Sequence, residues 1–308
     1  MLRLPVERLS AEDRAALARL THMDGIAWPT VTLWAVLTAT FLGVYVTAAL
    51  GGLPLWVGLI LNTVVGYVAF AVAHDGIHRA IARHRGLNDA IAQLGVLLVV
   101  PYVDLRLFRW GHSLHHRHTS GPGDPDRAFH GRTWTLPLRW MFIDLAYFWH
   151  AVCHGDATSA PYLRRSLWMA AISLGLIVVL TLAGYGLEVL MLWFIPSRLI
   201  QLALGFSFFW LPHVPHTVSQ DENFTRATTM RFGYERLLGP LLQGQHYHLV
   251  HHLFPTAPFY NNERIWRIIA PLLTDHDLVV QHGLAIQPVI YPAGAPRPLG
   301  VAEPGVRG

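Results

Sequence analysis

The chain has no lysine, a single cysteine and little charge of either sign: charged residues make up 14% of its 308 positions, against roughly 25% in an ordinary soluble domain. Cys153 alone excludes a disulfide framework, a cysteine zinc site and a cysteine-ligated iron–sulfur cluster. Any bound metal is therefore expected to be held by nitrogen. The net charge is +4, but no basic run or repeat concentrates it on one surface, so a nucleic-acid partner is not expected. The N-terminal stretch (MLRLPVERLSAEDRAALARL) has acidic residues and no apolar centre. It reads as a short amphipathic segment, not as a signal or transit peptide.

What the chain does have is apolar length and imidazole. Hydrophobic residues make up 53%, mean hydropathy is +0.35, and 19 residues are histidine. Four stretches, near 28–50, 53–73, 167–187 and 189–211, are long enough to cross about 30 Å of hydrocarbon, which takes about 20 helical residues. Gly51, Gly52 and Pro54 break the first pair, and Gly184 to Gly186 break the second. The expected fold is an all-α membrane protein, with four transmembrane helices in two hairpins and a cytoplasmic helical cap. The expected divisions are a cytoplasmic N-terminal segment (1–27), a membrane domain (28–290) and a disordered Pro/Gly-rich tail (291–308).

Arginine placement supports that topology. Residues 74–165 hold Arg79, Arg83, Arg85, Arg106, Arg109, Arg117, Arg127, Arg132, Arg139, Arg164 and Arg165, and the two hairpin turns hold none. By the positive-inside rule the long polar segments and both termini face the cytoplasm. Two shorter apolar runs, 91–103 and 136–152, are expected to lie in the interface or re-enter it. Arg198 falls inside the fourth stretch, where a charge costs about 2.5–3.5 kcal/mol. It is expected to reach the outer interface, with the span starting after Pro196.

Ten histidines recur at helical spacing. His74 and His78 are four apart; His112, His115 and His116 sit at i, i+3 and i+4; His248, His251 and His252 repeat that pattern; His213 and His216 form a further pair. The topology allows all of them to meet at one membrane face as a metal centre. His22, His84, His130, His150, His154, His276 and His282 read as isolated polar residues. His118 and His246 lie beside the clusters but off their spacing, and His246 is expected to support the site without ligating. Catalytic zinc takes about three protein ligands, so ten imidazoles suggest two metals. Imidazole suits zinc, copper, iron or nickel, and residue chemistry leaves the metal open. Asp75, Asp124, Asp126 and Asp221 are close enough in sequence to orient ligands through their outer nitrogens.

The order H-x-x-x-H, H-x-x-H-H, H-x-x-H-H between two apolar hairpins resembles the integral-membrane fatty acid desaturase and hydroxylase superfamily, from about Leu53 to Trp266. The phrases HDGIHR, HHRHTSGPGDPD, LPHVPH and GQHYHLVHHLFPTAPFY are most similar to desaturase-type carotenoid β-ring hydroxylases. The resemblance implies a non-haem di-iron centre of two Fe2+ ions that uses O2 to attack a C–H bond of a lipid. It implies His74, His78, His112, His115, His116, His248, His251 and His252 as ligands, with His213 or His216 adding one more. Hydroxylation of a β-carotene-like ring is the expected reaction, and acyl-lipid desaturation the alternative. A non-redox zinc protein is the alternative of a different class.

The chain has no cofactor motif to carry the two electrons needed, so an external ferredoxin, rubredoxin or small b-type cytochrome is expected. A bacterial inner membrane is the expected location, with the active site on its cytoplasmic side. Trp110, Phe208, Trp210 and Phe254 flank the histidines and are expected to line an apolar substrate tunnel.

Overall fold

The computed structural model describes residues 2–298. Its first helix, α1 (Ala11–Thr21), starts where Ser10 Oγ accepts from Asp13 N at 3.0 Å, with Glu12 and Asp13 at the positive helix end. Two long apolar helices follow, α2 (Trp28–Ala49) and α3 (Leu55–Ile77). Between them Gly51 adopts φ 71, a left-handed turn that glycine enters without steric cost. His84 then caps α4 (Arg85–Val99), its Nδ1 accepting from Leu87 N at 3.2 Å. After α4 come α5 (Leu105–His118), α6 (Leu136–Met141) and α7 (Ile143–His154).

The helices α8 (Ala160–Leu180), α9 (Gly186–Val189) and α10 (Ile195–Leu204) are joined by π-helical turns into one run, Ala160–His213. Among the described residues, three helices are thus long and apolar enough to cross a membrane, where four separate spans were expected. The third contains both later stretches. Its 54 residues would reach about 80 Å if straight, more than twice the hydrocarbon thickness. Gly184, at φ 95, breaks it. Leu176 and Leu180 before the break line the same apolar cavity as Val189 and Leu192 after it.

Arg198 does not reach out to the interface as expected. Its Nη2 donates to Asp144 Oδ2 at 2.7 Å and to Tyr102 Oη at 2.9 Å, and its Nη1 donates to Met141 O at 2.9 Å. Pairing with a carboxylate on α7 leaves no energetic reason to stretch toward water. Asp144 also accepts from Tyr102 Oη and from Gln201 Nε2.

The all-α expectation also needs correction. Three short strands, β1 (Met230–Phe232), β2 (Leu278–His282) and β3 (Val289–Tyr291), form a sheet in that order, β1 parallel to β2 and β2 antiparallel to β3. Strands of three to five residues are too short for alternation to show in a sequence. The tail expected to be disordered begins within β3. Beyond it Ala293 N donates to Asp277 Oδ1 at 3.1 Å and Arg297 Nη1 to His276 O at 2.9 Å, while 299–308 lie outside the described residues.

The chain divides into two compact units. The membrane unit, Asp24–Leu114 with Ala128–Phe206, is cored by Val72, Ala73, Ile77, Ile91, Ala92 and Val96. Here α3 and α4 approach closely, since a Cβ on Gly76 would collide with Ala92. The other, polar unit comprises the described residues of Met1–Met23, His115–Arg127 and Ser207–Gly308. It holds the sheet together with α11 (Glu235–Leu241), α12 (His248–Leu253) and α13 (Asn262–Ile269). Leu17, Leu20, Met230, Leu249, Trp266 and Val280 are among its core residues.

Candidate metal centre

In the polar unit, α12 is buried on every side: Leu249, Val250 and Leu253 join the apolar core, which leaves His248, His251 and His252 for the remaining face. His248 and His252 meet His115 from the last turn of α5 and His213 from the end of the long helical run. One ligand atom from each of the four lies within 4.8 Å of the others, and all four side chains are buried. His248 Nε2 is 2.9 Å from His213 Nε2 and 3.1 Å from His252 Nε2.

Each of these rings is held through its other nitrogen. His115 Nδ1 lies 3.0 Å from Asp124 Oδ1 and 3.2 Å from Asp126 Oδ2. His213 Nδ1 is 3.0 Å from Ala227 O, His248 Nδ1 2.6 Å from Gln245 Oε1, and His252 Nδ1 3.4 Å from Thr119 Oγ1. The Thr119 hydroxyl donates to His115 O at 2.8 Å, so its oxygen is left to accept from His252. Acceptor oxygens at Nδ1 fix that nitrogen as the protonated one and turn each Nε2 lone pair inward. Four converging lone pairs repel one another unless a cation sits among them, and four imidazoles suit a transition metal.

Local structure sets up the carboxylate support. After α5 the chain turns back through TSGPGDPD, and Asp124 accepts from Ser120 N at 2.7 Å and Asp126 N at 2.9 Å. Burial raises the Asp124 pKa, but the His115 charge and these hydrogen bonds hold it below the ordinary carboxylate value. Burial pushes His115 down, yet Asp124 and Asp126 outweigh it and raise the pKa to about 9, so a metal taking its Nε2 lone pair displaces a proton. Burial and the surrounding imidazoles push His252 well below its ordinary value, toward the neutral form a metal requires.

His116 and His251 form a further contact in this unit, Nε2 to Nε2 at 3.0 Å. His216, at φ 65, stands outside the four-histidine set with its ring 5.6 Å from Trp210.

In the membrane unit, His74 and His78 at the end of α3 meet His112 of α5. The three ring centroids form a near-equilateral triangle of 4.8, 5.0 and 4.9 Å, and His74 Nε2 is 3.2 Å from His112 Nε2. Arg109, one helical turn before His112, clamps the arrangement. Its Nε donates to Ile77 O at 2.8 Å, its Nη2 to Gly76 O at 2.9 Å, and the same guanidinium pairs with Asp89 at 2.5 Å. Asn88 Nδ2 adds a bond to Gly76 O at 2.8 Å, so the last carbonyls of α3 are satisfied by side chains. Asp75 accepts from Thr30 Oγ1 at 3.0 Å and ties α3 to α2.

The remaining sequence candidates fall as follows. His246 lines a separate surface pocket with Glu235 and Tyr247, and burial lowers its pKa to about 4. Asp221 is exposed. Phe208 is buried with its ring 6.4 Å from His248; Trp110 packs 5.9 Å from His150; Phe254 packs against the polar unit's core. An apolar cavity of about 480 Å3 is present in the membrane unit, but its walls are Tyr45, Leu176, Leu180, Val189 and Trp193 among others, and none of the four expected aromatics. Sequence reasoning missed Gln245 and Thr119. The available signals were spacing alone, Gln245 three residues before His248 and Thr119 four after His115.

Over residues 50–283 the chain matches the family described as fatty acid desaturase. It is 29% identical to a beta-carotene ketolase of Paracoccus sp. over 195 residues, 62% of this chain and 70% of that protein. It is 24% identical to an acyl-lipid (9+3)-(E)-desaturase of Dimorphotheca sinuata over 274 residues, 74% of this chain and 69% of the relative. A Delta(12) fatty acid desaturase FAD2 of Calendula officinalis is 27% identical over 256 residues, covering 67% of this chain and 63% of that enzyme.

Proposed function

The chain belongs to the fatty acid desaturase family, and on that premise we propose that it is a membrane oxygenase that uses O2, two external electrons and two iron ions to oxidise a long apolar lipid. The observation that carries this reading is the inward convergence of four imidazoles with every Nδ1 held by an oxygen. His115, His213, His248 and His252 would hold one iron, and the set containing His74, His78 and His112 the other. His116 and His251 complete the family's box pattern, and His216 is a further candidate beside His213. When bound, the iron supplies O2 activation and attack on an unactivated C–H bond.

The chain's own residues do the rest. Asp124, Asp126, Gln245, Thr119 and the Ala227 carbonyl hold the tautomers, and burial of the four rings keeps bulk water from them. Phe208, beside His248, is a candidate wall for the reacting carbon. Overall, C–H plus O2, two electrons and two protons gives C–OH and water. Loss of two vicinal hydrogens from the same inputs gives C=C and two waters.

The substrate we favour is a carotenoid, hydroxylated on its ring; the ketolase relative, the most identical of the three, supports that class. Acyl-chain desaturation is the second reading, supported by the two desaturase relatives. The electrons come from an external ferredoxin, rubredoxin or small b-type cytochrome. The break at Gly184 supports four crossings, with the histidines in a cytoplasmic cap of a bacterial inner membrane. Expression in a β-carotene-producing host, followed by chromatography of pigments and fatty methyl esters, tests the substrate. New hydroxylated carotenoid is the expected result, and new unsaturated acyl chains would move the assignment to desaturation. Metal analysis finding zinc without iron would overturn the oxygenase reading.

A further inference from the structure

Away from the histidines, the membrane unit carries a polar pocket of about 430 Å3 whose walls include Arg85, Asp89, Gln93, Asp104, Arg106 and Arg165. Its two carboxylates are already engaged. Asp104 pairs with Arg165 Nε at 3.0 Å and accepts from Arg106 N at 2.7 Å, and Asp89 pairs with Arg109 at 2.5 Å. The guanidinium groups of Arg85 and Arg106 have no acceptor among the described residues. Two positive charges are therefore left uncompensated in one concavity, which is the electrostatic signature of an anion site. Arginine's planar fork suits phosphate in particular.

The position of the pocket selects the source of that phosphate. Arg165 lies in the first turns of α8, where the long apolar run begins, and the next exposed side chains are Leu167 and Trp168. Tryptophan beside arginine at the start of an apolar helix marks the headgroup level of a bilayer. Basic pockets between helices at that level bind anionic headgroups. We propose that this pocket holds the phosphate of an anionic phospholipid. A bound lipid would also bear on the set of His74, His78 and His112, because Asp89 in the wall holds Arg109, and Arg109 holds the Gly76 and Ile77 carbonyls at the end of α3. The inference stands on the charge and location of the pocket and is independent of the reaction proposed above.

The test is native mass spectrometry of the full chain released from phosphatidylcholine nanodiscs carrying increasing phosphatidylglycerol. The wild type should retain one phosphatidylglycerol tightly. The double variant Arg85→Ala/Arg106→Ala should retain it roughly thirtyfold more weakly, since each basic residue near a membrane surface is worth about a fivefold change in binding. Arg85→Lys/Arg106→Lys, which keeps the charge, should recover most of it, and Arg85→Gln/Arg106→Gln, which removes the charge but keeps much of the bulk, carries the comparison should the alanine variant fold poorly. Equal retention by wild type and alanine variant would overturn the proposal. Competition by soluble glycerol phosphate as effective as the lipid's would reassign the pocket to free phosphate. A variant that loses affinity for an acidic carrier protein but not for the lipid would make it a protein dock.

Discussion

In the set formed by His115, His213, His248 and His252, every ring has its own oxygen at Nδ1, whereas beside His74, His78 and His112 side chains also clamp the backbone at the end of α3. The first set depends on side chains and carbonyls within its own unit: Asp124 and Asp126 on His115, Ala227 O on His213, Gln245 on His248, Thr119 on His252. The second depends on the Arg109–Asp89 clamp, on Asn88 at the Gly76 carbonyl, and on the close approach of Gly76 to Ala92. A contact to one ring disturbs that ring when it is removed. A clamp on the shared end of α3 disturbs His74 and His78 together, so damage to the two sets should read out differently.

The sharpest way to break this contrast is at a ligand. His252→Ala should abolish turnover and lower bound iron from about two equivalents to about one, as measured by product formation and metal analysis; retained activity would remove this set from the catalytic centre. Arg109→Ala comes next. Stripping Asp89 and the α3 carbonyls of a largely buried partner should cost roughly 3 kcal/mol of stability, read by denaturant unfolding, with the four-histidine set least affected. Gln245→Ala should fold normally and weaken iron binding about 10- to 100-fold in a chelator titration. A global loss of stability in that variant would erase the proposed difference between the sets.

The smallest expected effect is at His246. Burial lowers its pKa from 6.5 to about 4, so the unfolded chain takes up a proton in that interval and the folded chain does not. Stability should therefore fall as pH drops from about 6.5 toward 4, by about 1.4 kcal/mol for each unit of the shift. His246→Asn should flatten that acid limb in unfolding curves while leaving turnover nearly unchanged.

Legibility followed distance along the chain. The histidines at i, i+3 and i+4 could be grouped from spacing because one helix turn brings them to one face. Asp124 and Asp126 were within reach for the same reason, a short loop from His115. Gln245 stands three residues before His248, and that spacing by itself does not mark a hydrogen-bond partner of the ring. Arg198 and Asp144 were each visible as charges in apolar surroundings, yet their pairing spans 54 residues and no local pattern encodes it. The sheet was missed because β1 meets β2 across about 50 residues and each strand is too short to declare a period.

Composition and local spacing alone determined a membrane-embedded, mostly helical chain whose histidines are grouped for metal. Hydrophobic length and the 3.6-residue helical period are properties of contiguous sequence, and both can be read without a partner. Tertiary structure decided which histidines converge, which oxygen holds each ring, where Arg198 finds its carboxylate and which arginines remain uncompensated. Those outcomes depend on atoms brought within about 3 Å by distant segments, and at that range hydrogen bonds and charge pairing, rather than periodicity, select the arrangement.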